Sequence, residues 1–128
     1  MVYFTAGMGI IPILHQIKAI LPDSSSSVKM ITIIWVNDDP NDFDIAFKEL
    51  EDEYFKFNVK LEVSCVVDEM NFSGGSSLNS NPEIEDALPN FRPGTMAVIS
   101  GPRAFVEKAN EYLVDRRDYQ EDCLCSLA

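Results

Sequence analysis

Short apolar runs rich in β-branched residues alternate along this chain with stretches whose apolar residues recur at helical spacing, and that alternation restricts the possible folds most. The runs at 2–6, 30–36, 60–67, 95–100 and 122–127 are bounded by turn formers and read as strands. Between them Ile10, Ile13, Leu14, Ile17 and Leu21 fall at i, i+3, i+4, i+7 and i+11. Phe43, Phe47, Leu50 and Tyr54 keep a similar interval, as do Phe105, Ala109, Tyr112 and Leu113, so each set marks the apolar face of an amphipathic helix. A weaker helix is expected over 82–88, with Asn81 as its N-cap and Pro82 at the first helical position. Strands joined by helices need right-handed crossovers and a parallel sheet covered on both faces. The expected fold is α/β: a three-layer, doubly wound sheet of five parallel strands with helices on both sides.

With 128 residues the chain fits one domain, 1–128, long enough to bury a real core. Its 21 acidic against 10 basic residues give a formal charge of −11, which repels nucleic acid and anionic membrane surfaces. Cys65, Cys123 and Cys125 form no paired framework, and no histidine near Cys123 and Cys125 completes a metal site. A reducing, cytoplasmic setting is therefore expected. The apolar stretches are far shorter than the roughly 18 residues that a membrane span needs. The first strand starts at Val2 with no lead-in, which suggests a domain excised from a larger protein.

The stretch Thr5-Ala6-Gly7-Met8-Gly9-Ile10-Ile11-Pro12 turns from the first strand straight into the first helix. Gly7 and Gly9 allow positive φ and close backbone approach, and the helix N-terminus adds partial positive charge, a combination suited to a pyrophosphate. The turn is equally compatible with a tight, ligand-free connection. Pro12 suits the first helical turn, where its missing N–H costs nothing, but it stands where the usual dinucleotide fingerprint has a third glycine. A receiver-type domain would need a metal-binding carboxylate at the end of an early strand, and Thr5-Ala6 supplies none.

Gly7-Met8-Gly9-Ile10-Ile11-Pro12 resembles the Gly-x-Gly-x-x-Pro motif of the ferredoxin-NADP reductase superfamily, and the surrounding sequence resembles its cytochrome b5 reductase and nitrate reductase branch. Ser100-Gly101-Pro102 resembles that branch's Cys-Gly-Pro signature, and Asp44-Ile45 with Glu49-Leu50 resembles the pattern of the helix after the second strand. The resemblance implies the pyridine-nucleotide-binding domain of an NAD(P)H-dependent flavoprotein reductase. In it hydride passes from NADH to FAD, and electrons then pass to an unidentified acceptor. It also implies that Gly7, Met8, Gly9, Pro12, Gly101 and Pro102 bind the cofactor, that Ser100 stands at the catalytic position, and that Asn37, Asp38 and Asp68 frame the adenosine. Like charge at Asp68, and at Asp38, would favour NADH over NADPH.

Ser100 replaces the family cysteine thought to assist hydride transfer, and the Arg-x-Tyr-Ser/Thr flavin motif does not occur. FAD is thus expected on a companion barrel domain, with the isolated domain inactive. The alternative is a non-catalytic relative serving as an interaction or scaffold module. His15, the sole histidine, reads as a polar residue of the first helix. The acids Asp38, Asp39, Asp42, Asp44, Glu49, Glu51, Asp52 and Glu53 lack calcium-loop spacing and read as a solvated helix face. Arg103 is open to two roles, a phosphate or partner contact or a surface residue. Gly7 and Gly9 are expected to be required by the nucleotide and not merely by the fold.

Overall fold

A computed structural model of the chain describes residues 1–22, 30–37, 39–57, 61–67 and 81–127. Strands β1 (Val2–Ala6), β2 (Ile31–Asn37), β3 (Leu61–Val67), β4 (Ala97–Ser100) and β5 (Leu124–Leu127) form one sheet in the order β3-β2-β1-β4-β5. All four pairings are parallel. The helices are α1 (Ile10–Ile20), α2 (Phe47–Phe57), α3 (Pro82–Ala87) and α4 (Arg103–Arg117). The expected doubly wound sheet with helices on both faces is what the chain forms.

Alternation along the strands divides the core. Val2, Phe4 and Ala6 face a cluster that holds Phe105, Ala109, Tyr112 and Leu113 of α4 and Ile84 of α3. Tyr3 faces the opposite cluster, with Ile10, Ile13 and Ile17 of α1, Trp35 of β2 and Leu50 of α2. Every residue of β1, β2 and β4 is buried, as central parallel strands require, whereas the edge strands β3 and β5 are partly open. On the α4 side, edge-to-face packing of Phe4 on Phe105 at 5.3 Å fastens the helix to the sheet.

The boundaries differ from the expected ones for local reasons. β4 begins at Ala97 because Thr95 closes a turn: its N–H donates to the Arg92 carbonyl at 2.9 Å, and Gly94 takes φ +92. β5 begins at Leu124 because Glu121–Cys123 is a 3₁₀ turn. Asn81 caps α3 as expected, accepting from the N–H groups of Glu83 and Ile84. The helix ends at Ala87, since Leu88 precedes a proline and is held extended.

The largest correction concerns α2. Phe43 belongs to a separate 3₁₀ segment, Pro40–Ile45, and Ala46 at φ −144, ψ 4 breaks the helical phase before Phe47. The buried positions of this stretch are Phe43, Ala46, Leu50 and Glu53, so the expectation holds for Phe43 and Leu50, while Phe47 and Tyr54 are exposed. Glu53 is also the exception to the expected solvated acidic face; the other acids of that run among the described residues are exposed.

Candidate functional site

The strand order reverses at β1. From β1 the chain adds β2 and then β3 on one side, and it returns to place β4 and β5 on the other. In open α/β sheets a crevice forms at such a reversal, outside the carboxyl ends of the two strands whose connections leave in opposite directions. Here those strands are β1 and β4, paired through Thr5 and Ser100. The residues that follow them are the glycine turn and Gly101-Pro102.

A cleft of 510 Å³ lies at this point, lined by Met8, Gly9, Pro12, Ser100, Gly101, Pro102 and Leu127. The two motifs, some ninety residues apart in sequence, thus form its opposite walls. Thr5 ties them together, donating from Oγ1 to the Ser100 carbonyl at 2.9 Å. Ser100 is only 2% exposed, whereas Met8 is 66% exposed and stands at the mouth. Leu127 enters because β5 pairs with β4 and sets it opposite Ser100. Sequence reasoning missed Leu127, and only the strand order reveals it.

The glycines of the walls do different work. Gly7 is at φ +56 and Gly101 at φ +149, conformations open to glycine and strained for other residues. Gly9 is not at positive φ; its φ is −59. A Cβ on Gly9 would lie 2.6 Å from the Ser100 carbonyl carbon and oxygen, so the absent side chain lets the turn press against the end of β4. Of the two properties that glycine offers this turn, Gly7 uses the positive φ and Gly9 the close approach.

Gly7 and Asn37 do not line the cleft; they lie near each other where β2 ends beside the glycine turn. A Cβ on Gly7 would have Asn37 Oδ1 4.0 Å away. Asn37 is 5% exposed, and its Nδ2 is the buried side-chain polar atom without a hydrogen-bond partner among the described residues. A buried donor left unpaired is costly, and its position beside the turn suits a ligand oxygen. Trp35, which sequence reasoning also missed, donates from its indole N–H to the Gly7 carbonyl at 3.0 Å. Asp38 and Asp68 lie outside the described residues.

The remaining candidates stay apart from the cleft chemistry. His15 is exposed on α1, and Arg103 pairs with Glu107 at 3.2 Å on the surface of α4. Among the described residues no group of three or more His, Cys, Asp or Glu side chains is placed to hold a metal ion, and no helix is long and apolar enough to cross a membrane.

No protein-family model matches the sequence, and no curated protein does. Solved structures do match the fold. The cytochrome b5 reductase domain of nitrate reductase from Ulva prolifera is 21% identical, with a TM-score of 0.78 over 98% of this chain and 47% of its own. The CS-b5R domains of human Ncb5or, solved in the NAD+ form, are 21% identical with a TM-score of 0.74, over 99% of this chain and 36% of that one. Flavohemoglobin from Malassezia yamatoensis, solved with FAD and heme, is 14% identical with a TM-score of 0.68, covering 98% and 30%. The chain therefore spans less than half the length of these neighbours. What the chain shares with part of each of these structures is the fold.

Proposed function

We propose that this chain is the pyridine-nucleotide-binding half, 1–128, of a flavin-dependent reductase, and that it holds NADH across the cleft between β1 and β4. The observation that carries the reading is the meeting of two motifs at the sheet's reversal point: Met8, Gly9 and Pro12 face Ser100, Gly101 and Pro102 across 510 Å³. The fold shared with cytochrome b5 reductase domains supports it.

The residues present fit such a cofactor. Backbone N–H groups at the start of α1 attract a pyrophosphate. The unpaired Nδ2 of Asn37 offers a hydrogen bond to a phosphate or ribose oxygen beside the turn. Ser100 and Gly101, at the end of β4, back the nicotinamide end of the cleft. Asp38 after β2 and Asp68 after β3 disfavour the additional phosphate of NADPH by like charge.

Hydride donation is the chemistry that the reduced nicotinamide supplies; the chain's own residues bind it, orient it and exclude water from one side. The flavin that accepts the hydride belongs to a companion barrel domain, since the chain has no matching flavin motif. Ser100 would touch the nicotinamide only through the small part of it that reaches the cleft, which limits it to a hydrogen bond or a packing contact.

Calorimetric titration of the chain with NADH and NADPH tests the reading. Saturable NADH binding at micromolar to millimolar concentration, tighter than that of NADPH, is expected; an absence of NADH binding at millimolar concentration overturns it. NADH binding without flavin reduction, once the chain is joined to a flavin-binding barrel, would make it a nucleotide-binding module instead of half of a reductase.

A further inference from the structure

We propose that Trp35 is a positioning residue for the nucleotide site: its indole N–H fixes the peptide between Gly7 and Met8 so that the Met8 N–H is presented to a bound pyrophosphate. The inference rests on the nucleotide reading above and adds to it a residue outside both motifs.

Trp35 is fully buried on β2, and its Nε1 donates to the Gly7 carbonyl at 3.0 Å. The same carbonyl accepts from the Ile10 N–H at the start of α1, so both of its lone pairs are engaged from within the domain. A trans peptide is planar, with C=O and N–H on opposite sides. Drawing the Gly7 carbonyl toward β2 therefore turns the following N–H, that of Met8, away from β2. Met8, whose N–H is set by this peptide, is among the residues that line the cleft on the β4 side of β1.

Gly7 at φ +56 lets the peptide adopt this orientation, but a glycine on its own would also permit others. The indole selects one. The ring is itself held, packing edge-to-face on Phe43 with centroids 5.0 Å apart and planes at 87°. Phe43 belongs to the Pro40–Ile45 segment that follows β2, so the same indole joins the segments following β1 and β2. Removing the N–H while keeping the ring should leave the packing intact and free the peptide to rotate.

The chain has one tryptophan, which allows a substitution of the N–H alone. The chain is prepared with Trp35 replaced biosynthetically by L-3-benzothienylalanine, an isostere with sulfur in place of the N–H, and separately as Trp35→Phe. For each, the NADH dissociation constant, the melting temperature and the proton–nitrogen NMR spectrum are measured. The expected result is NADH affinity weakened roughly twofold to tenfold, as fits the loss of one orienting hydrogen bond. The melting temperature of the isostere should stay near that of the natural chain, and in the free protein the displaced amide resonances should be confined to the residues around Met8. Unchanged NADH affinity in the isostere overturns the proposal and leaves the nucleotide reading standing. Resonances displaced throughout, with a large fall in melting temperature, also overturn it, because Trp35 would then serve the fold alone. If the natural chain itself binds no NADH, both readings fall, and that arm needs no variant to show it.

Discussion

At Gly7 the backbone has φ +56 and an added Cβ would find only Asn37 Oδ1, 4.0 Å away, so the obstacle to another residue is conformational. At Gly9 the backbone is ordinary and the obstacle is space: the added Cβ would meet backbone atoms of Ser100 and Gly101 at 2.6 and 2.7 Å. Left-handed backbone costs alanine roughly 1 kcal/mol relative to glycine. Overpacking typically costs roughly 1 to 3 kcal/mol, and here no flexible side chain is available to give way. Gly9→Ala is therefore expected to destabilise the free chain more than Gly7→Ala does, as measured by urea unfolding. Equal or reversed losses would mean that the end of β4 yields easily. The contrast bears on function too, because lost NADH binding in a Gly9 variant would mix a displaced wall with a blocked phosphate, whereas Gly7→Ala leaves the walls in contact. The sequence showed where both glycines stand in the turn; it could not show which presses on β4, since that contact joins residues some ninety positions apart.

The end of α4 shows how one element holds another. Asp118 at φ +60 turns the chain out of the helix, and Arg117 then donates to the carbonyls of Leu88 at 2.6 Å and Glu85 at 3.0 Å. Tyr119 follows, buried, with its hydroxyl donating to the Pro89 carbonyl at 2.6 Å and its ring tilted against Phe91. These contacts secure the connection between α3 and β4, and thereby the strand that carries Ser100. Burial raises the Tyr119 phenol from its ordinary 10.0 to about 12, against the opposing pull of Arg117. A phenol held protonated in the folded state contributes stability in full below the unfolded value, and that contribution is lost as pH rises. Stability should thus decline between about pH 10 and pH 12 in thermal unfolding, and Tyr119→Phe should decline less steeply across that window. A residual slope is expected from Tyr3, which burial also raises; an unchanged slope in Tyr119→Phe would assign the titration elsewhere. The buried face of α4 was legible because the helix is unbroken from Arg103 to Arg117. That of α2 was legible only in part: Phe43 and Leu50 are buried as their spacing implies, but the other inward positions are Ala46 and Glu53, and a rule that follows large apolar residues picks their neighbours Phe47 and Tyr54, which are exposed.

For the whole molecule, alternation disclosed five strands and their helices, but nothing local states that β4 lies beside β1 instead of β3. That one choice creates the cleft, brings Leu127 to Ser100 and puts Trp35 across β1 from the site, so the motifs were readable from the residues while their meeting was implied only by the family resemblance. Charge is the other property of the whole, and it acts on the ligand before any contact forms. The chain carries −11, and NADH is an anion, so at low ionic strength the summed field opposes their approach. The screening length falls from about 30 Å at 0.01 M salt to about 10 Å at 0.1 M, which removes most of that opposition at distance. The contacts proposed for the nucleotide, with backbone N–H groups of the turn and with the Asn37 carboxamide beside it, would act at hydrogen-bond range and be screened far less. Salt should therefore accelerate association and leave dissociation nearly unchanged. Between 0.01 and 0.2 M salt the association rate for NADH, followed by stopped-flow fluorescence of Trp35, is expected to rise roughly twofold to tenfold, with a larger rise for the more highly charged NADPH. A rate that falls with salt would show that the potential at the cleft mouth is positive despite the net charge, and that the acidic surface lies where an approaching nucleotide does not feel it.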